Sequence, residues 1–400
     1  MRAVNFISLI ITKGYEMRPH INTFSKTLSN KSYSRWRQPL ADAKQHCPKL
    51  MSEGNRLLSL TFDEQLDVLI YYHLQGFDSG RHLLQALEKD ELAKELVSPE
   101  NGLKKSTLFE AINSRGLDQL FHVYNKLYSQ AKTILPNQYP SLGDIVGVDS
   151  SLITATLSMD WADYRGGAQK AKIHLGFDVN RGILSKFHLT NGKSDEHPFV
   201  SKIIEPGQTS VIDRYYQKHP NFDTWQNEKT HFACRIKECT NLEIIEEYDT
   251  SPDSNIYFDT LVLLGSKYTN QTEKLVRLVK YTLDGIDYLV VTDRSDLPAE
   301  DIALIYKLRW DIEKFFAWWK RQLNAYHLIA RTQYGMMVQI ISGLITYLLL
   351  AIYCHREYNE KVNIKRVRKL RAAIINEALQ NKPQRRRKCG KKRKSIAAKS

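Results

Sequence analysis

The 400-residue chain has few cysteines. The five present (Cys47, Cys234, Cys239, Cys354, Cys389) include no C-x2-C pair and no zinc-like spacing with histidine. That excludes a disulfide framework and a structural zinc site, and it fits a reducing cytoplasm. No segment repeats. Clean membrane signals are missing as well. Residues 3–11 follow Arg2 like a short signal peptide, but they lack a small-residue cleavage site and run into Lys13-Gly14-Tyr15-Glu16. Residues 1–16 therefore read as a dispensable upstream extension, with Met17 as an alternative start. Residues 336–353 are long enough to span a bilayer, but Gln339, Ser342, Gly343 and Thr346 interrupt them. A buried core helix is expected there, and no membrane. Charge excess is absent from most of the chain. Of the formal net charge of +14, residues 361–400 carry +15, from 16 Lys/Arg against Glu377 alone, which leaves the other 360 residues near −1.

The chain is 42% apolar, with 6 Trp and 21 Tyr, which is enough to build a core, and its length implies more than one structural unit. The basic blocks Arg385-Arg386-Arg387-Lys388 and Lys391-Lys392-Arg393-Lys394 suit a polyanion, or they form a solubilising tail. Residues 17–135 read as helical. One helix lies within 57–75 and ends at Gly76; a second covers 80–98. A short one is capped by Ser106 and stopped by Gly116, and a longer one covers 117–132. A short polar helix joined through Gly116 to a longer one resembles a DNA-binding helical module, or is part of a plain bundle.

After Pro136 and Pro140 the pattern becomes mixed α/β. Residues 145–149 are a short apolar run that reads as a central strand ending in Asp149. Strands at 172–179 and 183–190 flank the turn Asn180-Arg181-Gly182. A helix over 195–204 precedes a strand at 209–213 that ends in Asp213, and 216–228 is helical before a strand at 230–237. Strand signals at 242–248, 256–265, 275–281 and 286–292 suggest a separate β-rich insert. Pro298 and the acids Glu300 and Asp301 then open a helix expected to reach about residue 323.

Two acids at strand ends lie where α/β ligand sites form. On the helix at 299–323, Tyr306, Arg309, Glu313 and Lys320 share an arc of about 60°, nearly opposite an apolar stripe through Ile305, Leu308, Ile312, Phe315 and Trp319. Arg309 and Glu313 stand at i, i+4, which alone describes a solvated ion pair. The spacing Tyr306-x2-Arg309-x3-Glu313-x6-Lys320 resembles the Y-x2-R-x3-E-x6-K signature of the bacterial insertion-sequence DDE transposases of family four. Asp149-Ser150-Ser151, Lys172-Ile173-His174, Phe232-Ala233-Cys234-Arg235-Ile236-Lys237, Asp296-Leu297-Pro298, Arg309-Trp310 and Glu313-Lys314-Phe315-Phe316 agree with it.

The resemblance covers roughly 140–350. It implies an RNase H-like catalytic core (141–237 and 298–355) interrupted by a β-rich insertion (238–297). An all-helical N-terminal DNA-binding domain (17–140) precedes it, and a basic tail (356–400) follows. Asp149, Asp213 and Glu313 would be catalytic acids and metal ligands. Their all-oxygen chemistry suits Mg²⁺ or Mn²⁺, with two ions expected. Tyr306, Arg309 and Lys320 would contact DNA. Lys170 and Lys172, beside Arg165-Gly166-Gly167-Ala168, either track a phosphate backbone or belong to a solvated loop; His174 is expected in a supporting or core role. The implied activity is cut-and-paste transposition in a bacterial cytoplasm. A homodimer would act on double-stranded inverted-repeat ends and target DNA, with the hairpin step left open. The alternatives are an RNase H-like structure-specific nuclease and a degenerate DNA-binding copy. Two departures stand out. Asp213-Arg214-Tyr215-Tyr216 places Tyr215 where the family has a small residue, as in Asp-Arg-Gly-Tyr. The insert also has no Trp to stack a base, which leaves Tyr257, Tyr268, Tyr281 and Tyr288 as substitutes.

Overall fold

A computed structural model describes residues 30–52, 57–156, 159–251, 254–268, 270–322 and 327–380. The upstream extension and the basic blocks at 385–394 lie outside the described residues.

Six helices come first: α1 (Lys31–Ala43), α2 (Phe62–Gln75), α3 (Gly80–Lys89), α4 (Glu91–Leu96), α5 (Lys105–Ser114) and α6 (Leu117–Ile134). Thr61 and Glu64 close a reciprocal capping box at the start of α2, and Gly76 ends it in the left-handed region. The cap expected from Ser106 is not made. Helix α5 begins one residue before it, with Lys104 at the cap position and no side-chain cap bond. Gly116 does divide α5 from α6, at φ 88°, and a Cβ there would meet Gln65 at 3.0 Å. The buried Gln65 amide donates to the carbonyls of Ala111 and Arg115, tying α2 to the end of α5.

The strands are β1 (Ile145–Thr154), β2 (Lys170–Asp178), β3 (Ile183–Asn191), β4 (Thr209–Ile212), β5 (His231–Arg235), β6 (Leu242–Glu247), β7 (Ile256–Leu264), β8 (Val276–Leu283) and β9 (Ile286–Thr292). They form one nine-stranded sheet in the order β3-β2-β1-β4-β5-β9-β8-β7-β6. The pairs β1–β4 and β4–β5 are parallel and the others antiparallel. The β-rich segment is thus not a sheet apart. Strand β9 pairs with β5, so the new strands cover an edge that would otherwise expose unpaired peptide groups.

Two short helices, α7 (Phe199–Ile203) and α8 (His219–Asn227), pack on one face of the sheet with Val146, Val148, Ile212, Phe232 and Val291. The other face, through Ile145, Ile173, Leu175, Val211 and Ala233, meets α9 (Ala299–Leu308), α10 (Trp310–Gln322) and α11 (Gln333–Tyr358), and its core is continuous with that of α1–α6. Helix α11 meets the length and hydropathy of a membrane span, but it is buried against α6, α2 and α5, as the polar interruptions predict. Basic helix α12 (Ile364–Gln380) packs on α1 through Val367, Leu370 and Ile374.

The helix expected over 299–323 is broken at Arg309. Its N–H bonds to Tyr306 O (3.1 Å) and its carbonyl accepts from Ile312 N (3.2 Å), both i to i+3 bonds of a tightened turn. The backbone at Arg309 stays right-handed helical (φ −53°, ψ −33°), so the chain tightens there without leaving the helical path. Tyr306 lies in the core at 3% exposure rather than on the polar stripe.

Candidate active site

The geometry starts from strand register. In the parallel β1–β4 pair, Ile145 opposes Thr209, Val146 opposes Ser210 and Gly147 opposes Val211. Continuing two residues brings Asp149 level with Asp213. Neighbouring strands lie about 4.8 Å apart and side chains alternate, so the two carboxylates leave the sheet side by side on one face. Gly147 and Val211, two residues earlier, share that face.

It is the face covered by α10. A Cβ on Gly147 would lie 3.5 Å from Ile312, an ordinary van der Waals contact, so α10 lies close over β1 with room for no more than a methyl. Glu313 is the next residue after that contact. Its Oε1 accepts from Arg309 Nη2 at 2.7 Å, the i, i+4 pair visible in the sequence. The Arg309 side chain is 11% exposed, and its Nε has no hydrogen-bond partner. The guanidinium lies 5.8 Å from the Tyr306 ring and 5.6 Å from that of Trp310. Tyr306 therefore lies beside Arg309 and is too buried for its expected phosphate contact.

The electrostatics tie these groups together. Burial pushes the Asp149 carboxyl up to about 7, with the Asp213 charge adding to the rise; the Ser150 N–H, which donates to Asp149 Oδ1 at 2.7 Å, and the Arg309 charge oppose it. Burial lowers the Lys320 ammonium while Asp149 attracts it. Arg309 is raised by Tyr306, Glu313 and Asp149 against the cost of its own burial. Burial pushes the Tyr306 hydroxyl up to about 12.

Asp149 and Asp213 fit a divalent cation: two adjacent carboxylates, one of them resisting ionisation because it is buried beside the other's charge. Glu313 is not with them. Among the described residues no three His, Cys, Asp or Glu side chains group closely enough to hold an ion. Glu313 instead pairs with Arg309, whose charge also acts on Asp149.

Other expectations change on the structure. Lys172 is 8% exposed, donating to Glu196 Oε1 (2.9 Å) and Ser194 O (2.8 Å), so it presents no surface to a phosphate backbone. Lys170 is half-buried over the Tyr164 ring. His174 is buried and stacked on Phe199 at 3.7 Å, a core position as expected. The Tyr215 departure costs no strain. Residues 214–216 form a short 3-10 turn capped by Asp213, and Tyr215 is not among the described residues with positive φ. Its ring faces out beside His197. Of the insert tyrosines, Tyr281 is buried and Tyr288 stacks on it, whereas Tyr257 and Tyr268 are exposed. Sequence reasoning missed Glu196, which the expected helix at 195–204 concealed; the acid pair Asp195-Glu196 just after β3 was its only signal.

A family model described as a transposase DDE domain matches residues 140–349, just over half of the chain and the whole of this site. The chain belongs to that family. It is 28% identical over 208 residues to a transposase of insertion sequence element IS5377 from Geobacillus stearothermophilus, covering 51% of this chain and 55% of that one. It is 23% identical over 283 residues to a transposase of element IS4SA from Synechocystis sp., covering 64% and 78%. Transposase y4zB of Sinorhizobium fredii matches at 26% over 51% of this chain and 59% of its own. The chain thus spans a little over half the length of the IS5377 and y4zB proteins. A solved piggyBac transposase synaptic complex with hairpin DNA superposes at a TM-score of 0.38 and 12% identity over 92% of this chain and 84% of that one, a likeness too distant to fix any feature here.

Proposed function

We propose that this protein is a DNA transposase that cleaves transposon ends and joins them to target DNA, with Asp149, Asp213 and Glu313 as its catalytic acids. The observation that carries the reading is the level pair of aspartates on neighbouring parallel strands, under the helix that bears Glu313. The order β3-β2-β1-β4-β5 supports an RNase H-like core, with β6–β9 as its insertion and α1–α6 as a helical DNA-binding part. Divalent ions, Mg²⁺ or Mn²⁺ and two in number, would supply there an activated attacking oxygen and a stabilised leaving oxygen.

The chain's own residues do the rest. Arg309 releases Glu313 toward the aspartates and turns its planar fork, with the unpartnered Nε, to a phosphate. Lys320 adds a point charge near Asp149, and Tyr306 keeps Arg309 in place. Water attacks the scissile phosphorus, the P–O3′ bond breaks, and the 3′ oxygen leaves as a hydroxyl once protonated. That hydroxyl, giving up its proton, then attacks a target phosphorus; the target's own P–O3′ bond breaks and its 3′ oxygen leaves as a hydroxyl once protonated. The chain would act as a dimer on double-stranded DNA in the cytoplasm. The rival reading of a degenerate copy rested partly on Tyr215, which the turn accepts without strain, and partly on the N-terminal segment, which lies outside the described residues.

In a cleavage assay on end DNA, Asp149→Asn, Asp213→Asn and Glu313→Gln are each expected to reduce Mg²⁺-dependent cutting to background while end binding persists. Wild-type cutting by Glu313→Gln would remove it from the site.

A further inference from the structure

Behind the acid pair, on the opposite face of the same strands, Glu196 joins the neighbouring strands β1 and β2 to the turn that follows β4. Its Oε1 accepts from Lys172 Nζ of β2 at 2.9 Å, and its Oε2 accepts from the Tyr216 hydroxyl at 3.2 Å. Its carboxylate also bonds the side chain of Ser150 on β1. Ser150 is the residue whose N–H holds Asp149 Oδ1, and Tyr216 ends the turn that Asp213 caps. Lys172, Glu196 and Tyr216 are all shielded: the Lys172 and Glu196 side chains are 11% and 17% exposed, and Tyr216 is 2% exposed. A charged hub so shielded, with every visible partner on a different element, fixes geometry more than it adds stability. A buried ion pair seldom repays its desolvation against an apolar alternative.

We infer that Glu196 is a positioning residue for the catalytic acids: acting through Ser150 and Tyr216, it sets the separation and aim of Asp149 and Asp213, and hence their hold on divalent cations. The inference rests on the proposed role of those aspartates. The hub has the chemistry expected of a support behind a metal site. A carboxylate outside the ligand set bonds the groups that orient the ligands, and loss of such a support costs roughly 10–100-fold in metal affinity. Lys172, read from the sequence as a DNA contact or part of a solvated loop, belongs to this support: its ammonium keeps Glu196 ionised so that the carboxylate accepts from both hydroxyls. Burial opposes that ionisation, and the bonds from Lys172, Ser150 and Tyr216 outweigh it.

The test measures Mn²⁺ binding to the full chain without DNA, by loss of the free-ion electron paramagnetic resonance signal, beside thermal melting and end-DNA affinity. Glu196→Gln is expected to raise the half-saturating Mn²⁺ concentration by about tenfold or more, and Ser150→Ala and Tyr216→Phe by less, with end-DNA affinity unchanged. A hub that only stabilises the fold would lower the melting temperature and leave the Mn²⁺ curve in place. That result overturns the inference. Should Glu196→Gln fail to fold, the milder Ser150→Ala and Tyr216→Phe decide the question, and unchanged Mn²⁺ binding in both overturns it. Asp149→Asn separates the two levels. If it too leaves Mn²⁺ binding intact, the proposed metal site fails, and the inference about Glu196 fails with it.

Discussion

Arg309 is the residue on which the site turns. It is bonded to Glu313 and its charge reaches Asp149, so under the proposed function the arginine would compete with a metal for these carboxylates. Arg309→Ala should therefore leave Mn²⁺ binding unchanged or tighter, while end-DNA binding weakens and its salt slope falls by about one unit, the value for one lost phosphate contact. Filter binding across a salt series checks this, and an unchanged slope would deny the arginine its phosphate. At this scale the sequence was informative where chemistry follows spacing. Asp149 and Asp213 end short apolar runs, and the Arg309–Glu313 pair is an i, i+4 relation on one helix. Lys172 and Glu196 were not legible. Their pairing joins β2 to a loop 24 residues later, and no periodicity marks a cation that turns inward.

Among the elements, the contact of α10 with β1 decides whether Glu313 can reach the aspartates. Gly147 makes the contact possible. A methyl there meets Ile312 at ordinary van der Waals distance, but a larger side chain must push the helix outward. Gly147→Ala should keep near wild-type cleavage. Gly147→Leu should lose most of it, with a destabilisation of about 1–3 kcal/mol from overpacking, read by denaturant melts and by single-turnover cleavage. The strand pattern showed β2 to β9 to within a few residues, because short apolar runs bounded by turn residues leave little choice, but β1 runs on to Thr154, so Asp149 lies within the strand and not at its expected end. The break between α9 and α10 was hidden. It contains no Pro or Gly, only a local shift to i, i+3 bonding around Arg309, which an average 100° step cannot reveal. The joining of β6–β9 to the core sheet was equally silent, since which edges pair is a tertiary choice.

For the whole molecule, charge points to where DNA would lie beyond the proposed catalytic face. The outward side of α12 carries exposed Lys365, Arg368 and Lys369, its apolar side rests on α1, and its one acid, Glu377, is bonded to Ser32. Changing Lys365, Arg368 and Lys369 together to Gln should flatten the salt dependence of non-specific duplex binding by up to about 0.9 per residue. Cleavage of a pre-bound end should be unaffected. A slope that does not move would make this helix a solvated face. The asymmetry between a nearly neutral body and a basic C-terminal segment was plain in the composition. The continuous core linking α1–α6 to the sheet was not, because helices that fold against a distant buried face show the same amphipathic pattern as a free-standing bundle.

The most direct test of the central claim replaces Mg²⁺ with Fe²⁺ and maps where hydroxyl radicals formed at the bound iron cut the polypeptide. Cuts are predicted at three separate places, around residues 149, 213 and 313, all lost in Asp149→Asn. The cut near 313 should strengthen when end DNA draws Arg309 away. Cuts confined to other regions, or a pattern that survives Asp149→Asn, would contradict it.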